Sequence, residues 1–158
     1  MDTPTLYMET TIPSFLLAEP SRDLVASARQ EITRTWWRRD HAKFAVFISD
    51  VVINEAQGGD RSAAQKRLEF LEPFKILAMT QEVDHLAALY VHKHIVPERK
   101  LGDALHLALA TLYHMDFLCT WNLKHIANAF ALRRLRVLNE RQGLFTPEIC
   151  TPEQLLGE

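Results

Sequence analysis

Short apolar runs alternate along the chain with longer segments in which apolar residues recur every three or four positions. The run FAVFI, Phe44 to Ile48, has the continuous apolar character of a strand that is buried on both faces. The segment up to about Asp40 is predicted to be helical, because one face collects Leu24, Ala28, Ile32 and Trp36. Further short strands are predicted at Thr5 to Met8, Lys75 to Ala78, Phe117 to Thr120 and, as a possible edge strand, Glu148 to Cys150.

Helical segments separate these strands in order along the chain. We predict a short helix with Pro13 in its first turn, another after Ser49, and further helices over Arg61 to Leu71, Gln81 to about His94, Asp103 onward and Ile126 to Gln142. Strands that alternate with helices are typical of βαβ units, in which helices cover both faces of a mainly parallel sheet. The expected fold class is therefore α/β: a three-layer α/β/α sandwich with four or five strands, formed as a single domain over residues 1–158.

The stretch LGDALHLALATLYHMDFLCTWNLKHIAN, Leu101 to Asn128, contains the strongest signal of a functional site. Its first part predicts a helix so apolar that it should be buried, yet this helix starts with an acidic residue, Asp103. A buried carboxylate is costly unless a positive group meets it. The sequence therefore raises the question of which positive group compensates the charge of Asp103.

Acidic and amide side chains fall where the predicted parallel strands end. In open parallel sheets, ligands bind beyond the carboxyl ends of the strands. Five residues from distant parts of the sequence are expected at this one edge: Glu9, Glu55, Asp103, Thr120 and Asn122. The combination indicates a site, although each residue alone has an ordinary structural explanation.

Those ordinary explanations differ from residue to residue. Glu9 could be a solvated strand end, and Glu55 a surface helix residue, although its spacing from Val51 and Val52 turns it towards the apolar face. Asp103 could cap its helix, and Asn122 could be a turn residue. His106 shares a helical face with Asp103; a structural hydrogen-bonding histidine is the favoured interpretation, and a metal ligand is the alternative.

Carboxylates that lie close together repel one another and raise one another's pKa, and a divalent cation removes this conflict. Oxygen ligands without cysteine or paired histidine suit Mg²⁺ or Mn²⁺ rather than zinc. Such a site polarises a phosphodiester and lowers the pKa of a bound water. The predicted chemistry is therefore phosphodiester hydrolysis at a metal held by Glu9, Glu55 and Asp103.

The composition of the chain limits which partners its overall charge could attract. The net charge of −2 gives no general attraction to nucleic acid, so any RNA contact requires a local basic cluster. Candidates for such contacts are Lys124 and His125, for which a solvated turn is the alternative, and Arg133 and Arg134, for which a solvated helix face is the favoured interpretation. No apolar run is long enough to span a bilayer and no signal core is visible, so a cytoplasmic protein with two buried thiols is expected. The absence of GxGxxG and of a P-loop argues against a nucleotide-binding domain.

Several motifs together resemble the PIN-domain nucleases, and within them the ribonuclease toxins of bacterial VapBC toxin–antitoxin pairs. The resemblance runs nearly from end to end of the chain. It rests on YMETTIPSFL (Tyr7 to Leu16), SDVVINEAQ (Ser49 to Gln57), GDALHLALA (Gly102 to Ala110), DFLCTWNLKHIAN (Asp116 to Asn128) and the tail TPEICTPEQLL (Thr146 to Leu156). It implies an α/β/α sandwich whose acidic cluster holds Mg²⁺ or Mn²⁺ and cuts RNA.

The resemblance also assigns the acids. Glu9 takes the place of the family's first Asp, Glu55 that of its Glu and Asp103 that of its second Asp, while Thr120 matches a Ser/Thr that positions water or metal ligands. Two departures stand out: Glu9 is one methylene longer than Asp, and Asn122 stands where a fourth Asp is usual. The lost charge should weaken a second metal.

The expected function is a metal-dependent endoribonuclease that acts as a toxin. The resemblance implies a small antitoxin protein that blocks the acidic pocket, and a homodimer. The alternative is a PIN-like RNA-binding module with weak or no hydrolysis, because Asn122 replaces the usual acid.

Overall fold

The computed structural model describes residues 2–157. Its strands are β1 (Thr5–Met8), β2 (Ala45–Ser49), β3 (Lys75–Leu77), β4 (Phe117–Cys119) and β5 (Glu148–Cys150). Its α-helices are α1 (Thr11–Leu17), α2 (Leu24–Asp40), α3 (Asp50–Ala56), α4 (Arg61–Leu71), α5 (Gln81–His92), α6 (Leu101–Leu112) and α7 (Ala129–Arg141). Strands and helices alternate as the apolar pattern predicts.

The strands form one sheet in the order β3–β2–β1–β4–β5, and every neighbouring pair is parallel. β1 lies in the centre, where Tyr7 is level with Phe47 of β2 and with Leu118 of β4. The prediction of a mainly parallel sheet of four or five strands is confirmed, with five.

The helices pack in two groups. α1 packs on α2 and α4, and α4 lies close to α3, whereas α5 packs on α6 and reaches α7 through a hydrogen bond from the Tyr90 hydroxyl to Asn139 Oδ1 at 2.6 Å. Right-handed crossovers place the connections to β2 and β3 on one face of the sheet and those to β4 and β5 on the other. This is the expected three-layer α/β/α sandwich.

The order of the strands creates a crevice in the middle of the sheet. After β1 the chain moves outward to β2 and β3, and it then returns to β4, on the other side of β1, and continues to β5. Helices therefore leave the adjacent strands β1 and β4 in opposite directions. In open α/β sheets, a reversal of this kind opens a binding crevice at the carboxyl ends of the two strands.

The core lies on both sides of β1. Leu6, Tyr7 and Met8 have no exposed surface, as expected for a central strand that helices cover on both faces. α6 is buried along most of its length, in agreement with its apolar sequence. No helix within residues 2–157 combines the length and the apolar character that crossing a membrane requires.

The start of α6 corrects one prediction. The helix begins at Leu101, so Asp103 lies inside its first turn and does not cap it. The prediction from the local sequence placed the start of the helix two residues too late, because the 3₁₀ turn Glu98–Lys100 leads directly into the helix. The carboxylate of Asp103 still lies near the positive end of the helix dipole.

Two other helix ends also differ from the prediction. α7 begins at Ala129 rather than Ile126, because the Asn128 side chain caps the helix by accepting the N–H groups of Phe130 and Ala131. α5 ends at His92, since His94 has a left-handed φ of 57° that a helix does not accommodate.

Candidate metal centre

Glu9 follows β1 directly, at the crevice, and is only 3% exposed. Its Oε1 accepts three hydrogen bonds: from the N–H of Thr11 at 3.0 Å, from the hydroxyl of Thr11, and from the hydroxyl of Thr120 at 2.7 Å. Both hydroxyls are fixed in turn, because Thr11 Oγ1 accepts the N–H of Trp121 at 2.8 Å and Thr120 Oγ1 accepts that of Asn122 at 2.9 Å. The loops after β1 and β4 are thereby joined at one carboxylate oxygen.

The other oxygen of this carboxylate is left for a ligand. Glu9 Oε2 receives no hydrogen bond from any residue in the range 2–157. Burial raises the pKa of Glu9, and attraction to His106 together with the hydrogen bonds from Thr11 and Thr120 offsets only part of that rise. A buried carboxylate with a raised pKa and a free oxygen is one that a cation would stabilise.

Glu55, near the end of α3, has the same division between its two oxygens. Oε1 accepts the Thr10 hydroxyl at 2.7 Å and lies 2.6 Å from His106 Nε2. Partial burial would raise the pKa of Glu55, but the hydrogen bond and charge of His106 and the bond from Thr10 lower it overall. Oε2 faces Gly102, where a Cβ would lie only 3.3 Å away, so a residue without a side chain leaves that oxygen undisturbed.

His106 of α6 is completely buried between two polar partners. Its Nδ1 lies 2.6 Å from the Tyr7 hydroxyl, which lies 2.7 Å from Ser49 Oγ. If Nε2–H donates to Glu55, Nδ1 accepts from Tyr7 and Tyr7 accepts from Ser49, so that one consistent chain of hydrogen bonds results. Burial would lower the pKa of His106, yet the hydrogen bond that it donates to Glu55 and the nearby carboxylates raise it.

Glu9, Glu55 and His106 each offer one ligand atom, and these atoms all lie within 4.8 Å of one another. Geometry alone would admit His106 as a ligand. Both of its ring nitrogens are already hydrogen-bonded, however, so the contacts favour a histidine that orients Glu55.

Asp103 is a buried neighbour of this cluster but does not belong to the 4.8 Å group within residues 2–157. Burial raises the pKa of Asp103, while hydrogen bonding from the Asn122 side chain and attraction to His106 and His125 act in the opposite direction. Asn122 Oδ1 accepts the N–H of His125 at 3.0 Å. Asn122 therefore supports Asp103 as a neutral donor, where another carboxylate would repel it.

The donor set fits a hard divalent cation. Glu9 and Glu55 would hold it through their free Oε2 atoms, and Asp103 would add a third carboxylate from the facing helix. Carboxylate oxygens with room for water are the ligands that Mg²⁺ and Mn²⁺ prefer. The length of Glu9 is accommodated because its carboxylate turns back to the N–H group of Thr11, two residues along the chain.

The four basic candidates lie beside this centre rather than in it. Lys124, His125 and Arg134 line a cavity of about 390 Å³, and Arg133 and Arg134 line an adjoining cavity of about 310 Å³. Neither cavity is bordered by the carboxylates of the cluster.

Sequence reasoning missed the residues that hold the carboxylates in place: Tyr7, Thr10, Thr11, Ser49 and Gly102. The signal was present in the two threonines that follow Glu9 and in the glycine that precedes Asp103. Except for Thr11, which bonds to Glu9 two positions away, their roles depend on partners far away in the chain.

Comparison with known proteins supports the architecture. No family model matches the chain, and no curated protein matches it. Among solved structures, a crystal structure of VapBC2 from Rickettsia felis, bound to a DNA fragment from its promoter, matches with a TM-score of 0.53. The alignment covers 93% of this chain and 98% of that chain at 15% identity.

The chain has a PIN-like α/β/α fold. At 15% identity this likeness concerns the fold alone, and the chemistry of the site depends on the side chains described above.

Proposed function

We propose that this protein is a divalent-metal-dependent endoribonuclease, the toxin of a VapBC-type toxin–antitoxin pair. The observation that carries the proposal is the pair of carboxylates Glu9 and Glu55, each with Oε1 held by protein donors and Oε2 free, at the point where the sheet order reverses. The likeness to a VapBC2 structure supports the choice of a toxin within this fold.

Glu9, Glu55 and Asp103 would hold Mg²⁺ or Mn²⁺. A bound ion of this kind polarises a phosphodiester and makes a water more acidic. Thr11 and Thr120 keep Glu9 in one rotamer, and His106 does the same for Glu55, so the carboxylates need not reorganise when the substrate arrives.

The proposed partners follow from the same interpretation. RNA is the substrate, and Lys124, His125, Arg133 and Arg134, which line the two cavities beside the centre, are the proposed contacts. A small antitoxin protein would cover the crevice, and the active form would be a homodimer in the cytoplasm, built from a single domain over residues 1–158.

Asn122 favours a second candidate function, an RNA-binding module that has lost most of its hydrolytic activity. The side-chain oxygen of Asn122 accepts a hydrogen bond from a backbone N–H, and its amide group donates to Asp103. It therefore does not replace the negative charge that a fourth acid would supply for a second ion.

The two functions separate in a cleavage assay. Purified protein is incubated with a pool of structured and single-stranded RNAs in Mg²⁺, in Mn²⁺ and in chelator. Metal-dependent cleavage that Asp103→Ala abolishes supports the nuclease, provided that Asp50→Ala, at an exposed acid that begins α3, cleaves like the wild type. RNA retention without cleavage, together with cleavage by Asn122→Asp, would instead establish the binding module.

A further inference from the structure

A groove adjoins the candidate metal centre on the side of α7. It consists of the two cavities of about 310 Å³ and about 390 Å³, which adjoin at Ile95 and Arg134. One wall is α7, and the other is the segment 93–97 that follows α5. The turn at Lys124 and His125 forms the end near Asn122.

The charges of the groove have one sign. Its exposed cations are Lys93, Lys124, Arg133, Arg134 and Arg141. No Asp or Glu lines either cavity, and within residues 2–157 none of the five cations forms an ion pair. Because the whole chain carries a net charge of −2, this is a local concentration of positive charge that attracts a polyanion.

One face of α7 combines these cations with exposed apolar side chains. Arg133 and Arg134 follow Phe130 by three and four positions, Val137 follows them by four and three, and Arg141 follows Val137 by four, so these side chains lie on one side of the helix. Phe130 is 76% exposed and Val137 is 43% exposed. Arginines interleaved with an exposed aromatic ring suit a single-stranded nucleic acid, whose phosphates pair with guanidinium groups while a base stacks on the ring. A duplex, with its base faces hidden, would leave Phe130 unused.

The inner end of the groove lies beside the candidate metal centre, and Asn122 connects the two. The N–H of His125 binds Asn122 Oδ1, and the Asn122 side chain in turn supports Asp103. Desolvation lowers the pKa of His125, Asp103 raises it, and the cations Lys124, Lys100 and Arg99 lower it further. Lys124, Lys100 and Arg99 therefore lie close enough to His125 to disfavour its charged form.

We propose that this groove, from Arg141 to Lys124, is the path along which single-stranded RNA enters the candidate metal centre, with Phe130 as a stacking platform for a base. The inference rests on the proposed function, since it names the form of RNA that the same site receives. α7 has 13 residues and is about 20 Å long, which is enough for several nucleotides.

The test measures RNA binding separately from cleavage. The affinity of the full chain for a labelled single strand of about 12 nucleotides, within the range of single-strand sites, is measured in chelator over a series of salt concentrations. The variant Arg133→Glu/Arg141→Glu is compared with Arg22→Glu/Arg61→Glu, which makes the same charge change at exposed arginines outside the groove. Circular dichroism verifies that each variant is folded.

The groove variant should bind at least about tenfold more weakly than the control, and loss of two phosphate contacts should make the slope of log K against log salt shallower by about 1.4. Phe130→Ala should weaken binding by at least about fivefold while leaving the salt slope unchanged. A duplex of the same sequence should bind more weakly than the single strand.

Equal RNA binding by the groove variant and the control would refute the proposed RNA path, and so would a preference for duplex over single strand. Competition by polyglutamate as effective as that by unlabelled RNA would also refute it, because it would assign the surface to an acidic protein. The proposed function fails separately. If the groove variant loses RNA binding but the wild type shows no metal-dependent cleavage, the nuclease is refuted and the RNA path remains. If the wild type cleaves RNA and the groove variant binds it normally, the RNA path is refuted and the nuclease remains.

Discussion

The hydrogen-bond chain behind Glu55 leads to a quantitative prediction about Tyr7. The Tyr7 hydroxyl lies 2.6 Å from His106 Nδ1 and 2.7 Å from Ser49 Oγ, and Tyr7, His106 and Ser49 are completely buried. Tyr7→Phe retains the ring and removes only this hydroxyl. It therefore leaves the ring nitrogen of His106 and the hydroxyl proton of Ser49 without partners, in a place that water does not reach.

An unsatisfied buried polar group costs about 1–3 kcal/mol, so the two groups together should lower the free energy of unfolding by about 2–6 kcal/mol. Because domains of this kind have unfolding free energies of only about 5–15 kcal/mol, the loss is a large fraction of the total. For a chain of this size, a loss of about 2 kcal/mol corresponds to a decrease of at least about 4 °C in Tm.

Urea unfolding and thermal scans measure this loss directly. Tyr113→Phe is the matched control, because the hydroxyl of Tyr113 donates to the carbonyl of Ala78 at 2.7 Å in an exposed location, where water can replace it. This control should lose less than about 1 kcal/mol. Equal losses in Tyr7→Phe and Tyr113→Phe would refute the buried chain.

Three further predictions concern the metal centre and the thiols. Gly102→Ala should weaken Mn²⁺ binding measured by calorimetry, because the new Cβ would lie 3.3 Å from Glu55 Oε2. The metal-free variant should be no less stable than the wild type, since alanine favours a helix by about 1 kcal/mol over glycine. Burial raises the pKa of Glu9, so protons should displace Mn²⁺ at pH values above those at which an ordinary glutamate titrates, and Glu9→Gln should remove this part of the pH dependence. Burial raises the pKa of the Cys119 thiol and raises that of Cys150 to about 12, so neither should react with a thiol reagent until urea unfolds the chain.

Each of these predictions has a contrary outcome. Unchanged Mn²⁺ affinity in Gly102→Ala would show that Glu55 Oε2 is not a ligand. A pH profile that is the same in Glu9→Gln would remove Glu9 from the ligand set. Modification of either cysteine in folded protein, detected by mass spectrometry, would contradict the burial of the thiols.

Local pattern alone was sufficient to predict the strands, the helices and their alternation. A strand buried on both faces must be apolar at every position, as in Phe44 to Ile48, and a surface helix must be apolar on one side. The parallel sheet follows from that alternation, and the carboxyl ends of its strands indicated where Glu9, Thr120 and Asn122 would meet. These properties depend on neighbours in the sequence, which is why they could be predicted.

Helix ends were less predictable, because capping depends on the conformation of a few residues. Asp103 has the chemistry of a cap, but the turn before α6 starts the helix at Leu101. Asn128 caps α7, where the apolar pattern had already placed helix from Ile126. In both cases a short turn competes with the helix, and periodicity does not distinguish the two.

Only the tertiary structure decided which atoms of the site are free. The sequence shows that Glu9, Glu55 and His106 exist, but not that one oxygen of each glutamate is held by donors while the other is available. Thr11 is a local donor to Glu9, but the other donors lie far away in the chain: His106 bonds to Glu55 across 51 positions, and Thr120 bonds to Glu9 across 111. Because hydrogen bonds at such separations form only when the sheet brings the strands together, the choice between ligand and support was made by the fold.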